Sequence, residues 1–350
     1  MAESTRRLAP GPLNALTDVA GLAVGQAEAP ALVSGTTVVL AERPVMASAA
    51  VGGGGPGTRA VSAAALGGTV QRIDAVALSG GSAFGLDAAG GVMDALRRRN
   101  RGFAIGPARV PIVPGAIIFD LLTGTADAPT GWETPPWWDL ARAATEHAGE
   151  TIRQGNAGAG LGATAGPIKG GTGTASLVAE GAEGRLTVGA LAIANPLGLV
   201  TMPGTTAFWA HPFERGREFG AIAPPPMPMP LPDFDFERYA SGANTTLAVV
   251  ATDAGLSHDE CHRVALMAHD GLARAIRPVH TPLDGDTVFA LATGPGERAG
   301  AALTGRVGMM AADCLARAVA RAVYHAEAIA GIPAWRDLGP DGCPAVRPRG

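Results

Sequence analysis

The stretch Ser241-Gly-Ala-Asn-Thr-Thr-Leu-Ala-Val-Val250 decides how this chain is read. Small, loop-forming residues run to Asn244. From Thr245 onward the residues are β-branched or apolar, the pattern of a loop entering a buried strand. A hydroxyl stands at that junction. Were the Asn244–Thr245 peptide bond cut, Thr245 would become a chain terminus carrying a nucleophilic hydroxyl and, two carbons away, an amine able to act as its base. Three other readings fit the same ten residues: Asn-Thr-Thr is an N-glycosylation acceptor pattern, Asn is a turn residue, and Thr commonly starts strands. The rest of the chain has to decide between them.

The bulk composition narrows the field. A chain of 350 residues, 47% of them apolar, can bury a large core. Only 17% are charged, and 50 glycines with 28 prolines suit a compact, tightly looped enzyme or oligomer better than a disordered scaffold. A net charge of −4, with no basic stripe interleaved with aromatics, argues against nucleic acid as a partner. Cys261, Cys314 and Cys343 lack Cys-x-x-Cys spacing, so neither a disulfide framework nor a zinc site is expected, and a reducing compartment is the simpler reading. The N-terminus leads into Pro and Gly without an apolar signal core, and no apolar run approaches membrane-spanning length. A cytoplasmic protein is expected, which removes the glycosylation reading of Asn244.

Working outward, residues 36–40 and 45–51 read as two strands, the second running into Gly52-Gly-Gly-Gly-Pro-Gly-Thr-Arg59. That loop lacks the Lys-Ser/Thr ending of a phosphate-binding loop and reads as a tight turn between closely packed backbones. Residues 74–78 form a strand, followed by Ser79-Gly-Gly-Ser-Ala-Phe-Gly85 and a helix to about Arg98 that Ser82 can cap. A nucleophile elbow at Ser82 would need a glycine two residues later, where Phe84 stands. Residues 115–122 are strand-like, and Trp132, Trp137 and Trp138 cluster before a helix over 140–147, where they could wall a pocket, bury a subunit contact or simply pack.

Between Gly155 and Thr174 the only charge is Lys169, either a solvated loop residue or a cation set among closely packed backbones, where it could lower the proton affinity of a reacting group. A strand over 186–194 ends at Asn195 before Pro196, a turn signal or an amide donor for a developing oxyanion. The proline run 223–232 is an exposed, extended connector suited to a tether. Ser257-His-Asp-Glu260 is a capping box opening a helix to about Ile276, on which His258 and His262 read as surface residues lacking a third metal ligand. Asp284 and Asp286 flank a glycine just ahead of a strand. They are turn acids or groups orienting a nucleophile, with too few oxygens nearby for a calcium loop. An Ala-rich helix over 307–330 closes the chain.

In combination, Leu78-Ser-Gly-Gly-Ser-Ala-Phe-Gly85, Gly155-Asn-Ala-Gly-Ala-Gly160, Ala194-Asn-Pro-Leu-Gly198, Asn244-Thr-Thr246 and Asp284-Gly-Asp-Thr287 resemble the L-aminopeptidase/D-amidase family, which includes β-peptidyl aminopeptidases and nylon-oligomer (6-aminohexanoate-oligomer) hydrolases. The resemblance covers nearly the whole chain. It implies a four-layer αββα sandwich akin to N-terminal-nucleophile hydrolases, self-cleavage of an inactive precursor, and a homotetramer of cleaved protomers. By position, Thr245 matches the nucleophile, Lys169 and Asn195 the lysine and asparagine of the nylon-oligomer branch, and Asp284 and Asp286 its acidic pair. The aminopeptidase branch carries a serine nucleophile with Ser and Glu at the last two positions. One departure stands out: where family members place a tyrosine near the active site, this chain reads Ile117-Ile-Phe119-Asp, without a phenolic hydroxyl.

These readings lead to a single hydrolase domain, 1–350, cut between Asn244 and Thr245 into pieces 1–244 and 245–350. The expected reaction is hydrolysis of small peptides, amino-acid amides or linear ω-amino-acid oligomers, with no metal or cofactor called for. Phe119, Trp137 and Trp138 are candidates to line the substrate pocket. A Ser82-centred hydrolase and a non-catalytic oligomeric binding protein of the same fold are the alternatives.

Overall fold

Thr245 begins a strand whose eight residues are all buried, so it must lie inside a sheet covered on both faces. The computed structural model of the chain describes residues 8–124, 132–181, 184–229, 231–236, 244–296 and 298–343. Residues 241–243 of the opening stretch, Pro230 of the proline run and residues 1–7 of the N-terminus lie outside them.

Strands β1 (Leu8–Ala9), β2 (Leu22–Ala29), β3 (Ser34–Val51), β4 (Thr58–Arg59) and β5 (Arg72–Ser79) precede helix α1 (Ala88–Arg98). A hairpin of β6 (Phe103–Ile105) and β7 (Ala108–Val110) and the short β8 (Gly115–Ile117) lead to α2 (Trp137–Glu146). A second hairpin, β9 (Thr164–Ala165) with β10 (Ile168–Lys169), is followed by β11 (Gly171–Gly181) and β12 (Gly184–Asn195). Strand β13 (Thr245–Thr252), helix α3 (His258–Ala275), β14 (Thr287–Ala292) and α4 (Ala301–Tyr324) complete the order.

Ten strands share one hydrogen-bonded network in the order β1-β11-β12-β13-β14-β3-β5-β8-β4, with β2 on β3. The 18-residue β3 joins its two halves. Its later part, Met46 to Val51, pairs with β14, while its earlier part pairs with β2 and β5, and the register shifts between Leu40 and Val45. Side-chain alternation then sorts residues into layers. Ala190, Ala192, Ala248, Val250, Val288 and Ala290 face α3 and α4 in one core. Their neighbours Leu191, Ile193, Leu247, Val249, Phe289 and Leu291 face Val39, Val76, Leu78 and Ile118 in a second. Val38, Leu40, Ala75 and Ala77 meet Val92, Leu96 and Trp137 of α1 and α2 in a third. Three cores between four layers make an αββα sandwich, as the family resemblance implied.

Local expectations needed correction. Segments 36–40 and 45–51 are one strand, kinked where Glu42, Arg43 and Pro44 are exposed. Ser82 does not cap the following helix. It sits at φ +52°, and the carboxylate of Asp120 accepts the Gly81 amide at 2.7 Å instead, so a distant acid displaces the local hydroxyl. Helix α4 starts six residues earlier than expected, because Ala-rich sequence carries no start signal of its own. His258 and His262 are held by the carbonyls of Ala64 and Ala49 rather than standing free at the surface. The Ser257/Glu260 capping box forms as expected, at 3.2 and 2.9 Å. Among the described residues, no helix is long and apolar enough to cross a membrane.

Candidate active site

The loop-to-strand junction places the Asn244–Thr245 peptide between two neighbours. On one side β12 runs antiparallel with Asn195 opposite Thr245, and on the other Asn244 bridges to Asp284. The Asn244 amide donates to Leu283 O at 3.1 Å, and its carbonyl accepts the Gly285 amide at 2.7 Å. The Thr245 hydroxyl donates to the same carbonyl oxygen at 2.6 Å. One carbonyl thus carries a backbone donor of the kind that stabilises an oxyanion, with a hydroxyl oxygen beside it. Gly285 is required by this packing: a Cβ there would lie 2.5 Å from Thr245 Oγ1.

The two acids are fully engaged. Asp284 accepts Thr281 N at 2.9 Å and Thr281 Oγ1 at 2.7 Å on one oxygen, and Leu197 N at 3.2 Å on the other. Burial raises its proton affinity above the ordinary carboxylate range, and the nearby charge of Asp286 acts in the same direction. Asp286 accepts the Thr246 amide at 2.7 Å on Oδ1, and on Oδ2 both the amide and ring Nδ1 of His280, at 3.2 and 2.7 Å. The glycine loop after β3 clamps the same turn, since Gly52 N donates to Asp286 O and Gly55 N to Asp284 O.

Lys169 is not a solvated loop residue. It is 0% exposed, and its ammonium donates to the carbonyls of Gly160, Ala163 and Gly170 at 2.7 to 3.0 Å. Burial pulls it down to about 7, while the charge of Asp120 opposes that fall. The three carbonyls, one for each ammonium proton, also favour the charged form. Thr164, paired with Lys169 across the β9–β10 hairpin, donates its amide to Asn195 Oδ1 at 2.8 Å. That bond fixes the side-chain amide, and Asn195 Nδ2 is left buried without an acceptor among the described residues. The lysine, the asparagine and the threonine therefore lie on adjoining elements in the order β10, β9, β12, β13.

Of the five residues named from the sequence, Asn195, Thr245, Asp284 and Asp286 meet at this junction, while Lys169 reaches it only by way of Thr164 and Asn195. Of the aromatic pocket candidates, the two tryptophans belong to α2. Trp137 is fully buried in the core beneath α1 and α2, with its indole N–H on Ser34 Oγ at 3.0 Å. Trp138 is 42% exposed and packs on Gly90 of α1. Phe119 is half-buried, directly before Asp120. No imidazole or amine is hydrogen-bonded to the Ser82 hydroxyl among the described residues, so its elbow reading gains no base.

Sequence reasoning passed over Asp120, Gly285 and His280. Asp120 is fully buried, and burial pushes it up to about 6, against the Gly81 and Ser34 hydrogen bonds and the Lys169 charge. Its only local signal was an acid inside the apolar run 115–122. Among the described residues, no group of three or more His, Cys, Asp or Glu could hold a metal ion.

Comparison with known proteins follows the same lines. The profile of peptidase family S58 matches residues 14–334. An uncharacterized aminopeptidase of Mycobacterium tuberculosis is 42% identical over 350 residues, spanning 94% of this chain and 98% of that protein. A 6-aminohexanoate-oligomer endohydrolase of Paenarthrobacter ureafaciens is 30% identical over 293 residues, 79% of this chain and 74% of the other. Among solved structures, the L-aminopeptidase D-Ala-esterase/amidase of Ochrobactrum anthropi, described as a variant of the N-terminal-nucleophile hydrolase fold, superposes with a TM-score of 0.64. It is 22% identical and covers 91% of this chain and 88% of that one. With its N-terminal-nucleophile-hydrolase architecture and a family match over nearly its whole length, this chain belongs to peptidase family S58.

Proposed function

We propose that this protein is a self-processing amide hydrolase whose nucleophile is Thr245. The observation that carries the reading is the pair of donors on the Asn244 carbonyl, the Gly285 amide and the Thr245 hydroxyl. In the precursor, Thr245 Oγ1 attacks that carbonyl carbon. The Gly285 N–H holds the developing oxyanion, the C–N bond breaks, and the hydroxyl proton passes to the departing nitrogen. Water then hydrolyses the ester, leaving residues 1–244 and a new N-terminus at Thr245.

In the mature enzyme the freed α-amine accepts the Thr245 proton. An ordinary α-amine titrates at about 7.7 to 8.0, and a charge on Lys169 would disfavour its protonated form. Asn195 Nδ2, without an acceptor among the described residues, is the donor for the substrate oxyanion, which suits a chain that carries Phe119 in place of a tyrosine. Asp284 and Asp286 orient the entry to β13. The chemistry draws on side chains and backbone alone. The substrates are small peptides, amino-acid amides or linear ω-amino-acid oligomers; the names of the two relatives support an aminopeptidase and a 6-aminohexanoate-oligomer hydrolase. The working unit is a cytoplasmic homotetramer of cleaved protomers.

An intact-mass spectrum of purified protein tests this without knowledge of the substrate. Two pieces of about 24 and 11 kDa, the second beginning Thr-Thr-Leu-Ala, are expected from the 35.0 kDa chain. Thr245→Ala should give one uncut mass and no amide hydrolysis. An uncut wild-type chain that nonetheless hydrolyses amides refutes the proposal.

A further inference from the structure

The turn preceding Asp284 holds a residue outside the catalytic set described above, His280, in an unusual setting. Its φ is +56°, in the left-handed region that non-glycine residues visit uncommonly. Such outliers persist where surrounding structure enforces them, and they concentrate at functional sites. Here the left-handed turn has a specific effect. It brings the residue's own amide and its ring Nδ1 onto one oxygen, Asp286 Oδ2, at 3.2 and 2.7 Å.

The ring has little freedom to leave that position. It packs edge-on against His269 of α3 with centroids 4.7 Å apart, and the His269 Nε2 is tied to Ala50 O at 3.1 Å. From the third side comes Gly52, where a Cβ would lie 2.8 Å from His269 Cε1 and 3.0 Å from His280 Nδ1, so only glycine admits both rings. His280 thus occupies a seat built from α3, the end of β3 and its own strained turn. With Oδ2 taken by two donors from one residue, the other oxygen of Asp286 is directed at the Thr246 amide, 2.7 Å away, one residue past Thr245.

We propose that His280 is a positioning residue. Through the paired bonds to Asp286 Oδ2 it fixes the carboxylate so that Oδ1 anchors the backbone immediately after the nucleophile. The assignment rests on Thr245 being that nucleophile, and it deepens that reading by adding a link sequence reasoning did not supply: ring, carboxylate, Thr246 amide, Thr245. Fixed geometry matters at this point because displacement of a reacting atom by about 1 Å costs about a hundredfold in rate.

Two substitutions separate positioning from packing. His280→Gly accommodates the left-handed turn, keeps the backbone donor and deletes the ring. His280→Asn tolerates the same backbone and supplies a side-chain N–H in place of Nδ1. The first readout is hydrogen exchange, by mass spectrometry, of the peptide containing Thr246, in full-length chains that also carry Thr245→Ala and so stay uncut. The second is the rate of self-cleavage and of amide hydrolysis per folded molecule, with Thr245 intact. His280→Gly should speed exchange at Thr246 and slow both reactions by about a hundredfold, and His280→Asn should restore most of each.

Unchanged exchange and wild-type rates in His280→Gly overturn the proposal. So do equal losses in both variants accompanied by equal losses of thermal stability, which would mark the ring as packing only. Should the wild type neither cut itself nor hydrolyse amides, the function proposed above fails, while the exchange comparison still decides whether His280 positions the strand.

Discussion

Replacing Gly285 with alanine tests the polarised Asn244 carbonyl directly. The added methyl would lie 2.5 Å from Thr245 Oγ1 and 2.8 Å from Gly55 O, whereas ordinary van der Waals contact of a Cβ begins at 3.4 Å. Gly55 cannot easily give way, because its amide is bound to Asp284 O at 2.8 Å. The strain therefore falls on Thr245 and on residue 285 itself, moving the hydroxyl or the N–H by about 1 Å. A displacement of that size at a reacting atom costs about a hundredfold, and loss of one oxyanion donor costs about a hundredfold to a thousandfold, or about 2.7 to 4 kcal/mol. The two penalties describe one distortion and do not add. Self-cleavage of Gly285→Ala should therefore slow by about 10² to 10³, followed as the ratio of intact chain to fragments in a mass-spectrometric time course. Thermal melts establish that the variant is folded. A folded Gly285→Ala protein that cleaves at the wild-type rate would refute the assignment of the Gly285 amide.

Asn195→Ala removes the buried Nδ2 donor, and kcat of the mature enzyme should fall by about 10² to 10³. The lost bond from Thr164 should cost about 1 kcal/mol in denaturant unfolding, so a normal kcat would leave Asn195 a structural residue. Lys169 is lowered by burial from 10.5 to about 7. Between those values the unfolded chain binds more protons than the folded one, and stability must rise with pH across that window, at up to about 1.4 kcal/mol per pH unit from this group. In the uncut Thr245→Ala background, Lys169→Met should remove that part of the slope when urea unfolding is compared at pH 7, 8 and 9; an unaltered slope would mean Lys169 keeps an ordinary proton affinity.

The residues legible from sequence were those whose signal is local. A β-branched run after Asn-Thr announced β13, the Asp-Gly-Asp turn announced the acids, and a single charge in a glycine-rich stretch singled out Lys169. Resemblance to a family then linked positions far apart in the chain. What stayed hidden depends on partners that only the fold brings together. Asp120 acquires its raised proton affinity from burial, and it meets Gly81 across 39 residues, which is why the nearby Ser82 was mistaken for the cap. Trp137 looked like a pocket wall because clustered tryptophans can line a cavity as well as fill a core, whereas here the first of the pair starts α2 and fills the third core. His280 gave no periodic or motif signal. Its meaning comes from a left-handed turn and from His269 on a helix.

The strand order has one more consequence. Both strands supplied by residues 245–350, β13 and β14, are interior, clasped between β12 and β3 of the portion before Asn244. Scission at the junction would therefore not release a subunit: the shorter polypeptide stays woven through the longer one, and parting them means unzipping a sheet along two seams at once. Maturation by such a cut would be a one-way event. A refolded mixture of the separated pieces would have to rebuild the interior of the sandwich before either piece could regain its partner.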